Sequence, residues 1–118
     1  MTVEQTELID SVSLDQAGAV CTLAIIDDLV WDELHLQLLQ TKLNTYLRYI
    51  ESGEIFVAYP ALQELVEQGL DFAIELRCIY APGSHANLFL ESAGNIIRDA
   101  GYILRVGPLG SDYADEAL

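Results

Sequence analysis

The stretch DELHLQLLQTKLNTYLRYIESG, residues 32–53, decides how the rest of the chain is read. Asp32 has the short acceptor side chain of an N-cap, and Glu33 suits the positive end of a helix dipole. Trp31 before the cap and Leu36 after it match a hydrophobic staple. A helix is predicted from Glu33 to Glu51, ended by Gly53, which tolerates the left-handed turn that stops a helix. At about 100° per residue, Leu36, Leu39, Leu43, Tyr46, Leu47 and Ile50 form one stripe. Leu34, Leu38 and Tyr49 fall almost opposite, with Gln37, Gln40, Asn44 and Arg48 as a narrow polar strip. A helix apolar on two sides needs two neighbours.

Working outward, Leu8 to Leu14 and Ala19 to Ile26 read as strands joined by the turn residues Asp15-Gln16-Ala17-Gly18. Beyond the helix, Glu54 to Tyr59 has no clear period. Pro60 suits the first turn of a short helix, Ala61 to Gln68, closed by Gly69. Asp71 to Tyr80 is the clearest strand: Phe72, Ile74, Leu76, Cys78 and Tyr80 alternate with Asp71, Ala73, Glu75 and Arg77. After the turn Pro82-Gly83-Ser84, with Ser84 a candidate N-cap, a second helix runs from His85 to Ala100, and Tyr102 to Val106 is a last strand. The order is ββα(α)βαβ. It predicts an α+β domain: a four-stranded sheet, mainly antiparallel or mixed, with two main helices on one face. The other face should carry Ser11, Ser13, Glu75, Arg77 and Arg105. Residues 1–107 make the single domain, and 108–118 read as a flexible acidic tail.

Composition narrows the function. The chain has 118 residues, enough for one domain and one core, and is 52% hydrophobic with mean hydropathy +0.27. Five Lys+Arg stand against 19 Asp+Glu, a formal charge of -14. That balance excludes nucleic acid and anionic membrane surfaces as partners, because both recruit basic side chains. It suits solubility or a basic protein partner. No apolar run approaches the ~20 residues of a membrane span. Met1 to Ile9 carries Glu4 and Glu7 and no basic residue, unlike a signal peptide, so a cytoplasmic protein is expected. Cys21 and Cys78 lie in apolar alternating runs and read as free buried thiols.

Several phrases carry a resemblance. They are Trp31-Asp32-Glu33, Leu38-Leu39-Gln40 with Lys42, Asn44, Tyr46 and Leu47, then Ile50-Glu51-Ser52-Gly53 and Tyr59-Pro60. Later come Tyr80-Ala81-Pro82, Phe89-Leu90 with Ala93, and Ala100-Gly101-Tyr102. Across Leu8 to Val106 the chain resembles an uncharacterised bacterial family of small α+β domains of unknown function. The resemblance implies a compact bacterial domain and transfers no catalytic or binding residue.

Candidate chemistry is sparse. Asp27, Asp28, Asp32, Glu33 and His35 are close enough to suggest a divalent cation, but their spacing lacks the Gly and terminal Glu of a Ca²⁺ loop. They read as a capped helix start with solvated acids. His35 and His85 lie in separate elements and make no zinc pattern. Ser84 and His85 are adjacent on a helix, so their side chains diverge and make no catalytic pair. There is no phosphate loop, dinucleotide fingerprint or nucleophile elbow. The reading leans away from an enzyme and assigns no metal and no cofactor. It predicts a non-catalytic interaction module that forms a homodimer through Leu34, Leu38 and Tyr49. The alternative is a small-molecule pocket or enzyme site near Trp31, His35 and Tyr46.

Overall fold

A computed structural model describes residues 2–114. The elements are β1 (Ser11–Asp15), β2 (Val20–Asp27), α1 (Glu33–Glu51), α2 (Glu54–Ala58) and α3 (Ala61–Glu67), then β3 (Asp71–Cys78), α4 (Ser84–Asp99) and β4 (Ile103–Pro108). The sheet order is β1-β2-β3-β4. β1 pairs antiparallel with β2, while β2–β3 and β3–β4 are parallel. The fold is thus α+β with a mixed sheet, in the element order read from the sequence.

The register explains the two faces. Val12, Leu23, Ile74 and Leu104 stand opposite one another across all four strands, and Cys21, Ile25, Phe72 and Leu76 share their side. Against this dry side lie Leu39, Leu43, Tyr46 and Ile50 of α1 and Leu90 and Ile97 of α4, in one core. One residue out of phase, Ser11, Ala24, Glu75 and Arg105 form a row on the far side. The face expected to be polar is therefore assembled as expected, with Ser13 level with Thr22 and Ala73, and Arg77 ion-paired to Glu75 at 3.0 Å. Both β–α–β connections place their helices on the same side, so the sheet has one covered and one open face.

Asp32 caps α1 as anticipated, its Oδ1 accepting the His35 N–H at 2.8 Å. Gly53 takes φ +82° and lets the chain leave α1 and re-enter α2 at once, which a side chain there would resist. The aperiodic segment before Pro60 is that five-residue helix. Two local readings change. Gly83 occupies the cap position of α4 without a side-chain bond, and Ser84 is the first helical residue, because the glycine already has the extended backbone that a cap needs. β1 begins at Ser11 and not at Leu8, because side chains replace the ladder at Asp10: its N–H goes to the Tyr46 hydroxyl and its carboxylate takes the Ile26 N–H.

Of the stretch read as a tail from residue 108, the described part makes backbone bonds to the chain at the end of β3. β4 reaches Pro108, the Leu109 N–H donates to the Cys78 carbonyl at 2.7 Å, and the Ala114 N–H donates to the Ile79 carbonyl at 2.7 Å. Residues 115–118 of that tail lie outside the described residues. Among the described residues no helix is long and apolar enough to cross a membrane.

Candidate functional site

The carboxyl ends of three parallel strands lie level at Asp27, Cys78 and Pro108. In open parallel sheets ligands favour this edge, because helices begin there and loops are free to vary. Here the starts of α1 and α4 flank a cleft of 240 Å³, lined by Trp31, Asp32, Glu33, Ser84 and His85 among others. Across its rim His85 Nε2 lies 3.8 Å from Glu33 Oε2, with both side chains largely in solvent.

Beneath the cleft is a closed polar group. Asp27 alternates in phase with Cys21, Leu23 and Ile25, so its carboxylate points inward, where it and His35 are fully buried. His35 Nδ1 sits 3.0 Å from the Val30 carbonyl and Nε2 sits 2.5 Å from Asp27 Oδ2. A carbonyl can only accept, so Nδ1 carries hydrogen, and one further proton lies between Nε2 and Oδ2. The pair is thereby neutral as a unit, which is the form that burial tolerates. Asp27 Oδ1 accepts the Leu29 N–H at 3.2 Å. Trp31 stacks on the imidazole with ring centres 4.0 Å apart, and its Nε1–H donates to the Tyr80 carbonyl at 2.9 Å. The group ties the end of β2 to the start of α1 and to the chain after β3. Cys78 adjoins it, and burial, with the Asp27 charge second, pushes its thiol up to about 12.

A second buried network lies farther along α1. Lys42, fully buried, donates to the Thr2 carbonyl at 2.9 Å, the Gln5 carbonyl at 2.8 Å and Asp10 Oδ1 at 2.7 Å. Three donors thus meet three acceptors. Asp10 Oδ2 accepts the Ile26 N–H at 2.9 Å. The Tyr46 hydroxyl donates to the Ala24 carbonyl at 2.6 Å and accepts the Asp10 N–H at 2.8 Å. Burial pushes the Tyr46 phenol well above its ordinary range, and the Asp10 carboxylate adds to the rise. Val3, fully buried, donates its N–H to the Ile26 carbonyl. Residues 2–10 are thus strapped against α1 and the end of β2.

The residues singled out from the sequence are distributed as follows. Trp31 and His35 come together, but His35 is sealed and lines no part of the cleft. Tyr46 belongs to the other network, with its hydroxyl fully used. Asp28, Asp32 and Glu33 are exposed, apart from buried Asp27, so the acidic run is split between surface and interior. Among the described residues no group of three or more His, Cys, Asp or Glu is placed to hold a metal ion. Leu34 is 63% exposed, while Leu38 and Tyr49 are half-buried against the core. Tyr49 is bordered by Glu7, Leu8 and Ile9 of the strap, whereas α3 packs on α2. Both cysteines are free and buried. Cys21 pairs with Phe72, six positions before Cys78 on a straight strand, so the thiols are about 20 Å apart and cannot bridge.

Asp10 and Lys42 escaped the sequence reading. The helical wheel carried a signal, because Lys42 falls between Leu38 and Tyr46 on the side turned inward. Nothing local pointed to acceptors 32 and more positions away.

These features define a small two-layer α+β domain whose buried charges are consumed in fastening its own chain. The chain belongs to a family of unknown function (DUF6572), whose model matches residues 1–110. That agrees with the resemblance to an uncharacterised family of unknown function. Neither curated proteins nor solved structures include a match to this chain.

Proposed function

We propose that this domain is a non-catalytic protein-interaction module that self-associates through the flank of α1 bearing Leu34, Leu38 and Tyr49. One observation carries the reading: Leu34 is 63% exposed and Val30 47% exposed at the start of α1, with the half-buried Leu38 one turn on and the half-buried Tyr49 farther along, past Thr41 and Thr45. Monomers tend to avoid exposed apolar patches, and a closed two-fold pair is the commonest way to cover one. Each leucine buried there contributes about 1.5–3 kcal/mol before the entropy of association is charged. The buried His35 and Tyr46 support a structural role for the residues that otherwise resemble catalytic ones, since their polar atoms are already bonded. Two free, buried thiols support a reducing, cytoplasmic setting.

Sedimentation velocity tests this. The parent should be a dimer and Leu34→Asp a folded monomer. A parent that stays monomeric at high concentration defeats the reading. With -14 on each copy, added salt should tighten the dimer by screening like charges.

A second reading is favoured by the cleft's position at the carboxyl edge of the parallel strands. A small ligand there would contact Trp31, the single tryptophan, so its fluorescence reports on that cleft directly. Saturable quenching by a small solute, abolished by His85→Ala, would support this alternative.

A further inference from the structure

We infer that the groove between α1 and α4 docks a basic amphipathic helix supplied by another protein. The groove holds 280 Å³ and is lined on α1 by Leu43 and Leu47 and on α4 by Phe89, Ala93 and Ile96. Ile96 is 63% exposed at its lip, and Phe89 and Leu47 are half-buried in its walls. Both helices start at the carboxyl edge of the sheet and run in the same sense, so the groove is straight. At about 100° per residue, Glu33, Gln40, Asn44, Leu47 and Glu51 form one line down α1. His85, Phe89, Ser92, Ile96 and Asp99 form the matching line down α4, at the spacing with which a helix presents a seam to another helix. The α4 line is about 21 Å long, the span of a four-turn helix.

Charge selects the occupant. Glu33 lies at one end of the groove, and Glu51 and Asp99 are exposed at the other. The five Lys and Arg side chains all lie off the two groove lines, and His85, on the α4 line, faces Glu33 at 3.8 Å. Lys42 is buried and saturated. Arg77 and Arg105 are on the strands, Arg77 paired with Glu75 and Arg105 level with it on the open face. Arg98 bonds Asn95 on the β4 side of α4, and Arg48, one turn on from Asn44, turns away from the groove toward the strap. The groove is therefore an apolar floor with carboxylates beyond its ends, Glu33 shared with His85 at one and Glu51 and Asp99 at the other. A second copy of this chain is a poor occupant, because a two-fold contact would set the same carboxylates against each other. A helix with leucines on one face and lysines or arginines flanking them matches both the floor and the ends.

The test uses the full-length protein and a peptide of about 16 residues carrying leucine and lysine in heptads. Its acidic counterpart, with glutamate for lysine, is the control. Calorimetry should show saturable binding of the basic peptide alone. Generic attraction to an acidic protein is separated by two variants that add the same charge. Ile96→Asp, in the groove, should weaken binding about tenfold despite the extra negative charge. Leu88→Asp, exposed on the outer face of α4, should leave it unchanged or slightly tighter. Equal effects of the two variants, or no loss with Ile96→Asp, would overturn the inference. So would sedimentation showing that Ile96→Asp, without peptide, converts a dimer to monomers, because the groove would then belong to a second copy. Loss of the dimer with Leu34→Asp alone leaves this inference standing, since that residue lies off the groove.

Discussion

Asp10 and Asp27 are both sealed on the inner side of the same sheet, yet Asp10 meets an ammonium from 32 positions away and Asp27 an imidazole from only eight away. The Asp10 network joins residues 2–10, β2 and α1, so it holds pieces that no local turn would bring together. The Asp27 group closes a single strand-to-helix connection and fixes how α1 leaves β2. The partners differ too. The ammonium fills three acceptors, while the imidazole bonds only two partners. The long-range pair is therefore the more dangerous to break, and the local one is forgiving.

The largest effect should follow loss of Lys42. Lys42→Ala leaves Asp10 and two carbonyls without their donor and should cost about 3–5 kcal/mol. Urea unfolding would show it in the midpoint, and hydrogen exchange should show Val3 losing protection. Replacing both partners by apolar residues, Lys42→Met with Asp10→Leu, should recover only part, because the Ile26 N–H loses its acceptor. A midpoint that does not move would break the comparison.

Asp27→Ala should cost less, about 1.5–3 kcal/mol, since it leaves only a His35 ring nitrogen and the Leu29 N–H without a partner. It should also change Trp31 fluorescence, because the stacked imidazole sets the environment of that ring. Equal costs for Lys42→Ala and Asp27→Ala would mean that range and partner chemistry are irrelevant here.

The thiols sharpen the contrast by pH. Cys78 lies at the Asp27 end and Cys21 at the opposite end of the strands. Burial pushes Cys21 up to about 11, and burial with the Asp27 charge pushes Cys78 up to about 12, each from 9.0. Raised folded values mean that this stability is fully present below pH 9 and is lost as pH rises through 11 and 12. At pH 10 the loss should be about 1 kcal/mol per thiol. Cys78→Ala and Cys21→Ala should each flatten the alkaline decline in melting temperature. Reagent added to the native protein near neutral pH should label neither cysteine, and both should react on denaturation.

The smallest effect on stability belongs to Leu34→Asp, within about 0.5 kcal/mol, because its side chain is already mostly in water. Its expected effect is on association alone. A large loss of stability there would move Leu34 from the surface into the fastening of the fold.

Much of the architecture was legible because it is written in short range. Asp32, the leucine period and Gly53 delimit α1, and the strict alternation of Asp71 to Cys78 declares β3 and its two faces. The candidate site was legible only in part. Trp31 and His35 were marked as neighbours, but burial of the imidazole depended on Asp27 facing inward from a different element. Tyr46 looked like a pocket residue because a wheel shows direction and not what lies there, which is the Ala24 carbonyl and the Asp10 N–H.

By itself, then, the sequence determined the order of strands and main helices, which side of each is apolar, and the excess of negative charge, all of which follow from neighbours within a few positions. Tertiary structure alone decided that β3 and β4 run parallel to β2, that residues 2–10 return to lie beneath Lys42, and that Leu109 and Ala114 make backbone bonds to the chain at the end of β3. Those outcomes rest on backbone and side-chain groups that find acceptors only when distant segments meet. A donor's need for a partner is visible in sequence, but the partner's address is not.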